Sequence, residues 1–265
     1  DMEQHYDIAV IDEAQMIADR DRGHSWTRAI LGVKADEIHI CMSPAAEEVV
    51  THLIALCEDT FEVRHYKRKT ALVCEQEAFV FPDDVTEGDA LITFTKRAVL
   101  DIAGRLEREG IRASVIYGSL PPEIRRRQIR LFLSHETKVV VSTDAIGMGL
   151  NLPVRRIVFI QTEKYDGIST RPLNIPEIRQ IAGRAGRFGM YDTGYVNAMG
   201  EDARNYIAKR FDQPEPVIKK VSLGFPHVLL DMDEPLNAIL KIWKSVEPLS
   251  LIHISEPTRL RCISY

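Results

Sequence analysis

Long apolar runs are missing from this sequence of 265 residues. The longest, Leu53 to Cys57, has five residues, against about 18 for a membrane-spanning helix. Cysteine is scarce: Cys41, Cys57, Cys74 and Cys262 form no C-x-x-C pair and have no histidine at ligand spacing. That pattern excludes a zinc motif and favours free thiols in a reducing compartment. An excess of positive charge is also lacking, with 34 Lys and Arg against 39 Asp and Glu. A net charge of −5 excludes a domain that coats nucleic acid by bulk charge, but not one that grips a strand with a few placed groups. No basic-then-apolar leader opens the sequence. These absences set the expectation of a soluble intracellular protein with no membrane partner, in one or two domains.

What the sequence does contain is a series of short apolar, β-branched runs of the kind found in buried parallel strands. They are Tyr6 to Asp12, Glu37 to Met42, Phe61 to Tyr66, Ala90 to Thr95, Ala113 to Tyr117, Lys138 to Ser142, Arg156 to Gln161 and Gly194 to Ala198. Helical patterns lie between most of them. Pro44 to Glu58 opens on a proline, Lys96 to Glu109 follows Thr95 as N-cap and stops at Gly110, and Pro121 to Leu133 follows Ser119. Strands alternating with helices predict α/β architecture, parallel sheets covered by helices.

Two boundaries are predicted. The acidic, proline-containing stretch at 76–85 reads as a linker between an α/β unit at 1–75 and a second at 86–211. After Gln213-Pro-Glu-Pro216, residues 212–248 read as the start of a helical region, with Pro235 to Val246 as its helix. The last segment, 249–265, resembles translated read-through at the end of an environmental reading frame and is set aside as a non-native tail.

Three constellations carry chemistry. Asp12-Glu13-Ala14-Gln15 stands where an apolar strand ends. An acidic pair there can hold a magnesium–nucleotide and polarise an attacking water, or simply open a helix. Gln180-Ile-Ala-Gly-Arg184-Ala-Gly-Arg187 puts arginines three apart. On a helix they would share one face, with glycines permitting close approach, as suits the charge on a transferring phosphoryl group. Val141-Ser-Thr-Asp144-Ala-Ile-Gly147-Met-Gly149-Leu-Asn151 ends a strand in hydroxyls, a carboxylate and glycines, a turn able to hold phosphate.

In this order and spacing the three resemble superfamily 2 helicases, as motifs II, VI and V. Ser43-Pro-Ala45 takes the place of motif III and Leu91 to Thr95 that of motif IV. Asp21 to Gly32, Glu37 to Cys41, Val115 to Glu123, Ala145 to Leu152 and Gln180 to Phe188 look most like the mitochondrial-degradosome-type (suppressor-of-Var) RNA helicases and their bacterial relatives. The resemblance implies RecA-like domains, one partial and one complete, with ATP and Mg2+ in the cleft between them and a single RNA strand across both. It implies that Asp12 holds magnesium, that Glu13 activates water and that Gln15 couples the nucleotide to the second domain. Asp144 and Gly147 would join the nucleotide contacts. Gln180, Arg184 and Arg187 would reach the phosphates, with Arg187 as the finger. Ser142, Thr143, Thr95, Lys96 and Gly118 would touch the strand backbone, where contacts carry little sequence preference. The cluster Arg125 to Arg127 with Arg130 reads either as part of that track or as a solvated helix face. An exoribonuclease partner follows from the same resemblance, as does a bacterial cytoplasmic or mitochondrial-matrix location.

One departure stands out. None of the 15 glycines is followed by lysine, so the phosphate-binding loop G-x-x-x-x-G-K-[ST] is not present, and the expectation is a fragment inactive as written. In the family's sheet order, Phe61–Tyr66 would then either pair with Glu37–Met42 or stand as an exposed edge. A DNA-repair helicase of the same superfamily and a non-catalytic binder of RNA or a nuclease are the alternatives.

Overall fold

The computed structural model describes residues 4–147, 152–221, 235–245 and 249–250. The chain divides into two units, the first built from Asp1–His65 and Pro216–Tyr265, the second from Tyr66–Glu215.

In the first unit β1 (His5–Ile11) pairs in parallel with β2 (Lys34–Ile40), with Ile8 opposite Glu37 and Ile11 opposite Ile40. A 3-10 turn at Ala14–Ala18 and α1 (Gly23–Gly32) connect them. Gly23 is required there, because a Cβ would stand 2.4 Å from the carbonyl oxygen of Ile17. A 3-10 turn at Pro44–Ala46 leads into α2 (Glu47–Leu56), whose first turn carries Glu47 and Glu48 toward the positive helix end. Ile11, Ile17, Ile30, Val49, Val50 and Leu53 form the core on one side of the two strands. Ile8 and Val10 on β1 are exposed.

The second unit is a six-stranded parallel sheet. Its strands are β3 (Ala71–Cys74), β4 (Asp89–Ile92), β5 (Ala113–Ile116), β6 (Val139–Ser142), β7 (Arg156–Phe159) and, after the two strands of a hairpin, β10 (Thr193–Ala198). The order across the sheet is β3-β10-β7-β4-β6-β5. Alternation of side chains along each strand sends them to two cores. Ala90, Ile92, Val140, Ile157, Phe159 and Val196 face α4 (Pro122–Leu133), α5 (Ile175–Ala182) and α6 (Glu201–Phe211). Leu91, Val139, Val141 and Val158 face α3 (Lys96–Arg108). Every residue of β4 and β6 is buried, which explains why those strands read as continuous apolar runs. The hairpin is β8 (Glu163–Tyr165) paired antiparallel with β9 (Thr170–Pro172).

A charged cluster sits at the amino-terminal end of this sheet. The Arg156 guanidinium donates to Asp89 Oδ1 and Oδ2 at 2.9 and 2.7 Å and to Glu75 Oε2 at 3.2 Å. Asp89 is fully buried and also accepts from the Thr86 amide at 2.8 Å.

Several sequence expectations are corrected. Phe61–Tyr66 is not a strand: it is exposed and makes no ladder hydrogen bonds, because its alternate residues are Glu62, Arg64 and Tyr66 with no covering layer. The strand in this region is β3, which pairs with β10 in the second sheet. The first unit therefore ends at His65 rather than 75, and 76–85 does not join the units. Within that stretch Phe79 is buried, its amide donating to Ala198 and its backbone bridging to Met199. Residues from Pro216 group with the first unit, and 216–221, the described residues that open this stretch, are not helical. The Ile218 amide donates to the Ala45 carbonyl at 2.8 Å, and Val221 is buried in the first unit's core. There β11 (Lys220–Val221) pairs antiparallel with β12 (Leu249–Ser250), the first residues of the presumed tail; 251–265 lie outside the described residues. The expected C-terminal helix is α7 (Leu236–Ser245).

Candidate nucleotide and nucleic-acid sites

On the first unit, the acidic pair follows the last residue of β1. The Asp12 carboxylate accepts its neighbour's amide (Glu13 N to Oδ1, 2.8 Å), and its carbonyl accepts the Trp26 indole N–H at 2.9 Å. Glu13 is left-handed, φ 55° and ψ 40°, a conformation that costs a non-glycine residue about 1–3 kcal/mol and is held where the surroundings over-determine it. The surroundings here are hydrogen bonds. Ala14 N donates to the Cys41 carbonyl, continuing the β1–β2 ladder past its end. Gln15 Nε2 donates to Glu13 Oε2 at 2.5 Å, and Gln15 Oε1 accepts the Ser43 amide at 3.0 Å. One side-chain amide thus ties the Glu13 carboxylate to the Ser43-Pro-Ala45 turn. Asp12 is exposed, a single carboxylate oxygen source of the kind Mg2+ takes alongside water and phosphate. Among the described residues, no cluster of three or more His, Cys, Asp or Glu could hold a metal ion by itself.

On the second unit, the groups lie at the carboxyl ends of the parallel strands, where ligands of open α/β sheets bind. Ser142 and Thr143 are both buried. The Ser142 hydroxyl donates to the Thr143 carbonyl at 2.9 Å and Thr143 Oγ1 accepts the Ala145 amide, so both hydroxyls shape the turn from inside. Asp144 accepts from Lys164 Nζ at 2.9 Å, and Lys164 reaches Glu177 at 3.1 Å. Burial works against the Lys164 charge, but Asp144 and Glu177 hold its pKa above the ordinary value. Residues 148–151 of this motif lie outside the described residues. Thr95 is exposed and caps α3, its hydroxyl accepting the Ala98 amide at 3.1 Å. Lys96 Nζ stands 5.3 Å from the Tyr117 ring centre. Gly118 is exposed, and its carbonyl accepts from Arg125 at 2.9 Å.

The arginine motif is built differently from the expectation of one helical face. Helix α5 opens with a capping box between Asn174 and Glu177 and ends at Ala182. Gln180 is on the helix, but Arg184 and Arg187 are in the turn beyond it. The helix cannot continue, because Gly186 has φ +69° and Ala185 bridges in parallel to Val154. The turn packs backbone to backbone: a Cβ on Gly186 would stand 2.6 Å from Gly194 Cα. The Arg184 guanidinium donates to the Gly147 carbonyl, and Gln180 packs where a Gly147 Cβ would lie, 3.5 Å away. Motifs V and VI are therefore in direct contact.

Comparison with known families is consistent with this geometry. Residues 1–66 match the DEXQ-box helicase domain of Suv3, and residues 69–189 match the helicase conserved C-terminal domain. By these matches the chain is similar to the SUV3-type helicases of superfamily 2. It is 41% identical over 226 residues to the mitochondrial DExH-box ATP-dependent RNA helicase DExH18 of Arabidopsis thaliana, covering 83% of this chain and 29% of that protein. It is 38% identical over 227 residues to the mitochondrial ATP-dependent RNA helicase SUPV3L1 of Homo sapiens, covering 82% and 29%. This chain thus spans well under half the length of these relatives. The fold is shared with S. cerevisiae Dbp5 bound to RNA and ADP BeF3, at TM-score 0.53 and 20% identity over 78% of this chain and 58% of that one. The two family matches meet between residues 66 and 69, beside the unit division at His65 and Tyr66.

Sequence reasoning missed Trp26 as the partner of Asp12, Lys164 as the partner of Asp144, and Arg68 under the arginine turn. The glycine spacing of motif VI did signal a close approach, but not that the approaching chain is β10.

Proposed function

We propose that the protein carrying this chain is an ATP-dependent RNA helicase that couples ATP hydrolysis to translocation or unwinding on RNA, in RNA turnover. The observation that carries this reading is the hydrogen bond from Arg184 to Gly147, which makes the phosphate-directed arginine turn and the strand-end turn one physical piece. Movement of one when phosphate is bound or lost is then felt by the other. Glu13 accepts a proton from the attacking water, held in place by Gln15. Arg184 and Arg187 stabilise the charge that develops on the transferred phosphoryl group. Asp12 would hold the magnesium ion that accompanies ATP, which neutralises phosphate charge when bound.

Thr95, Lys96 and Gly118, exposed at the strand ends, supply backbone-directed contacts to RNA; Ser142 and Thr143 support them from below. Both relatives named above are RNA helicases, which favours RNA over DNA. The motif II carboxylates and motif VI arginines favour a working motor over a non-catalytic binder. An exoribonuclease partner belongs to the same proposal, as does the location: mitochondrial matrix in a eukaryote, in keeping with the relatives' names, and cytoplasm in a bacterium. No helix among the described residues is long and apolar enough to cross a membrane.

The test is made in the full-length helicase, with its phosphate-binding loop. Glu13→Gln or Arg187→Ala should lower RNA-stimulated ATP hydrolysis by at least ~10³-fold while RNA binding survives. Turnover within a few-fold of wild type for Arg187→Ala would remove the basis of the proposal.

A further inference from the structure

Arg68 lies just inside the second unit, and nothing in the chemistry above uses it. Its Nε donates to the Thr70 carbonyl at 3.0 Å. One terminal nitrogen donates to the Gly183 carbonyl at 2.8 Å. The other donates to the Ala185 carbonyl and, at 3.4 Å, to that of Gly186. These carbonyls belong to the turn between α5 and β10, from which Arg184 and Arg187 project. The next two residues address the same turn. Lys69 Nζ stands 4.7 Å from the Phe188 ring centre. The buried Thr70 places its methyl 2.8 Å from where a Cβ on Gly186 would be. Three consecutive residues thus form the underside of the arginine turn.

The chemistry of the fork matters. Carbonyls at and beyond a helix end have no intrahelical partner and must be satisfied from outside. A guanidinium offers five donors in one rigid plane, so it can take several carbonyls at once and fix their relative directions. A lysine ammonium is a point charge on a flexible stem and cannot impose that plane.

We propose that Arg68 is a positioning residue for the motif VI arginines: its fork sets the peptide planes from Gly183 to Gly186 and so the directions in which Arg184 and Arg187 project. The inference rests on the functional reading given above, because it concerns what those arginines do. Its effect is expected in the transition state, where a small misplacement of a charge-stabilising group is felt most, rather than in binding.

The test compares Arg68→Ala, Arg68→Lys and Arg187→Ala in the full-length helicase. Arg68→Ala should lower RNA-stimulated kcat by about 10²-fold, the scale of a misplaced catalytic group, with KM for ATP and RNA affinity within a few-fold of wild type. Arg68→Lys keeps the charge and should still lose about 10-fold or more, since it lacks the planar fork. Methylguanidinium added to Arg68→Ala should restore part of the lost turnover, which a general loss of folding would not allow. Wild-type turnover in Arg68→Lys would overturn the proposal, showing that charge alone suffices. So would loss of turnover in Arg68→Ala that tracks a fall in melting temperature without chemical rescue. If Arg68→Ala fails to fold, Arg68→Lys at unchanged melting temperature decides the matter. Normal turnover in Arg68→Ala beside an inactive Arg187→Ala removes this inference alone; normal turnover in both removes the functional reading and this inference with it.

Discussion

Gln15 Nε2 lies 2.5 Å from Glu13 Oε2, so the carboxylate assigned to the attacking water is aimed by the side chain two residues later. The opposite end of the same amide accepts the Ser43 backbone N–H. Glutamine serves both, since its amide carries a donor and an acceptor on separate atoms at the end of one side chain. Gln15→Glu would face the Glu13 carboxylate with a second acceptor of like charge. Steady-state ATPase assays of the full-length helicase should show kcat lowered about 10²-fold, with RNA affinity unchanged.

Gly186→Ala tests the backbone contact under the arginines. The added methyl would meet Gly194 Cα and N at 2.6 Å, at a position with φ +69°. Overpacking and a left-handed alanine together should cost about 2–5 kcal/mol. Urea unfolding of the second unit's transition should show the loss.

The α/β character of the second unit was legible in the sequence because β4 and β6 are buried on both faces, and their apolar runs are short and alternate with helical patterns. The candidate site was legible where a motif is contiguous, as in Asp12 to Gln15. What was not legible depends on distance along the chain. Trp26 meets Asp12 across 14 residues, and Arg68 meets Gly183 across 115; neither partner has a spacing that a helix or strand period would reveal. Phe61–Tyr66 misled because β-branched and aromatic residues with charged neighbours look the same whether or not a sheet exists to receive them. Arg184 and Arg187 misled because the interval of three suits a helix, while the glycines beside them end it.

Asp89→Ala should be the most damaging single change at the far end of the second sheet. It removes the fully buried carboxylate that takes both the Nε and a terminal nitrogen of Arg156. Glu75 stays beside that guanidinium but accepts at longer range. Leaving a buried charge without its main partner costs about 3–5 kcal/mol. Thermal unfolding should show the drop, and Asp89→Asn should lose less because it retains an acceptor.

Glu177 gives a pH dependence with a definite sign. Burial alone would raise its pKa, but the Arg171 fork, the Asn174 amide and Lys164 hold it below the ordinary glutamate value. A depressed folded pKa means stabilisation that is complete above the unfolded value, about 4.3, and is lost as pH falls through the folded value. Glu177→Gln should therefore cost about 1–3 kcal/mol at pH near 7, the range for hydrogen bonds to charged groups. The gap from wild type should narrow below pH ~4. Denaturant titrations at the two pH values check both parts, and a gap that widens on acidification would contradict the assignment.

Hydrogen exchange separates the two units by how their strands are held. Strands β4 and β6 are internal to a six-stranded sheet, hydrogen-bonded on both edges, with every residue buried. Their amides can exchange only when the sheet opens, so they should report an opening free energy near that of global unfolding. Strand β1 is hydrogen-bonded only to β2 among the described residues, and Ile8 and Val10 are 60% and 65% exposed. Alternate amides along it therefore face water, and the remainder need only local separation of two strands. The segment 61–66 has no ladder to protect it. In the 265-residue chain, exchange read by mass spectrometry should be slowest at Ala90–Ile92 and Val140–Ser142. It should be about 10²-fold or more faster at Ile8–Val10, and close to unprotected at 61–66. Equal protection in β1 and β4 would mean that β1 gains a neighbour on its second edge.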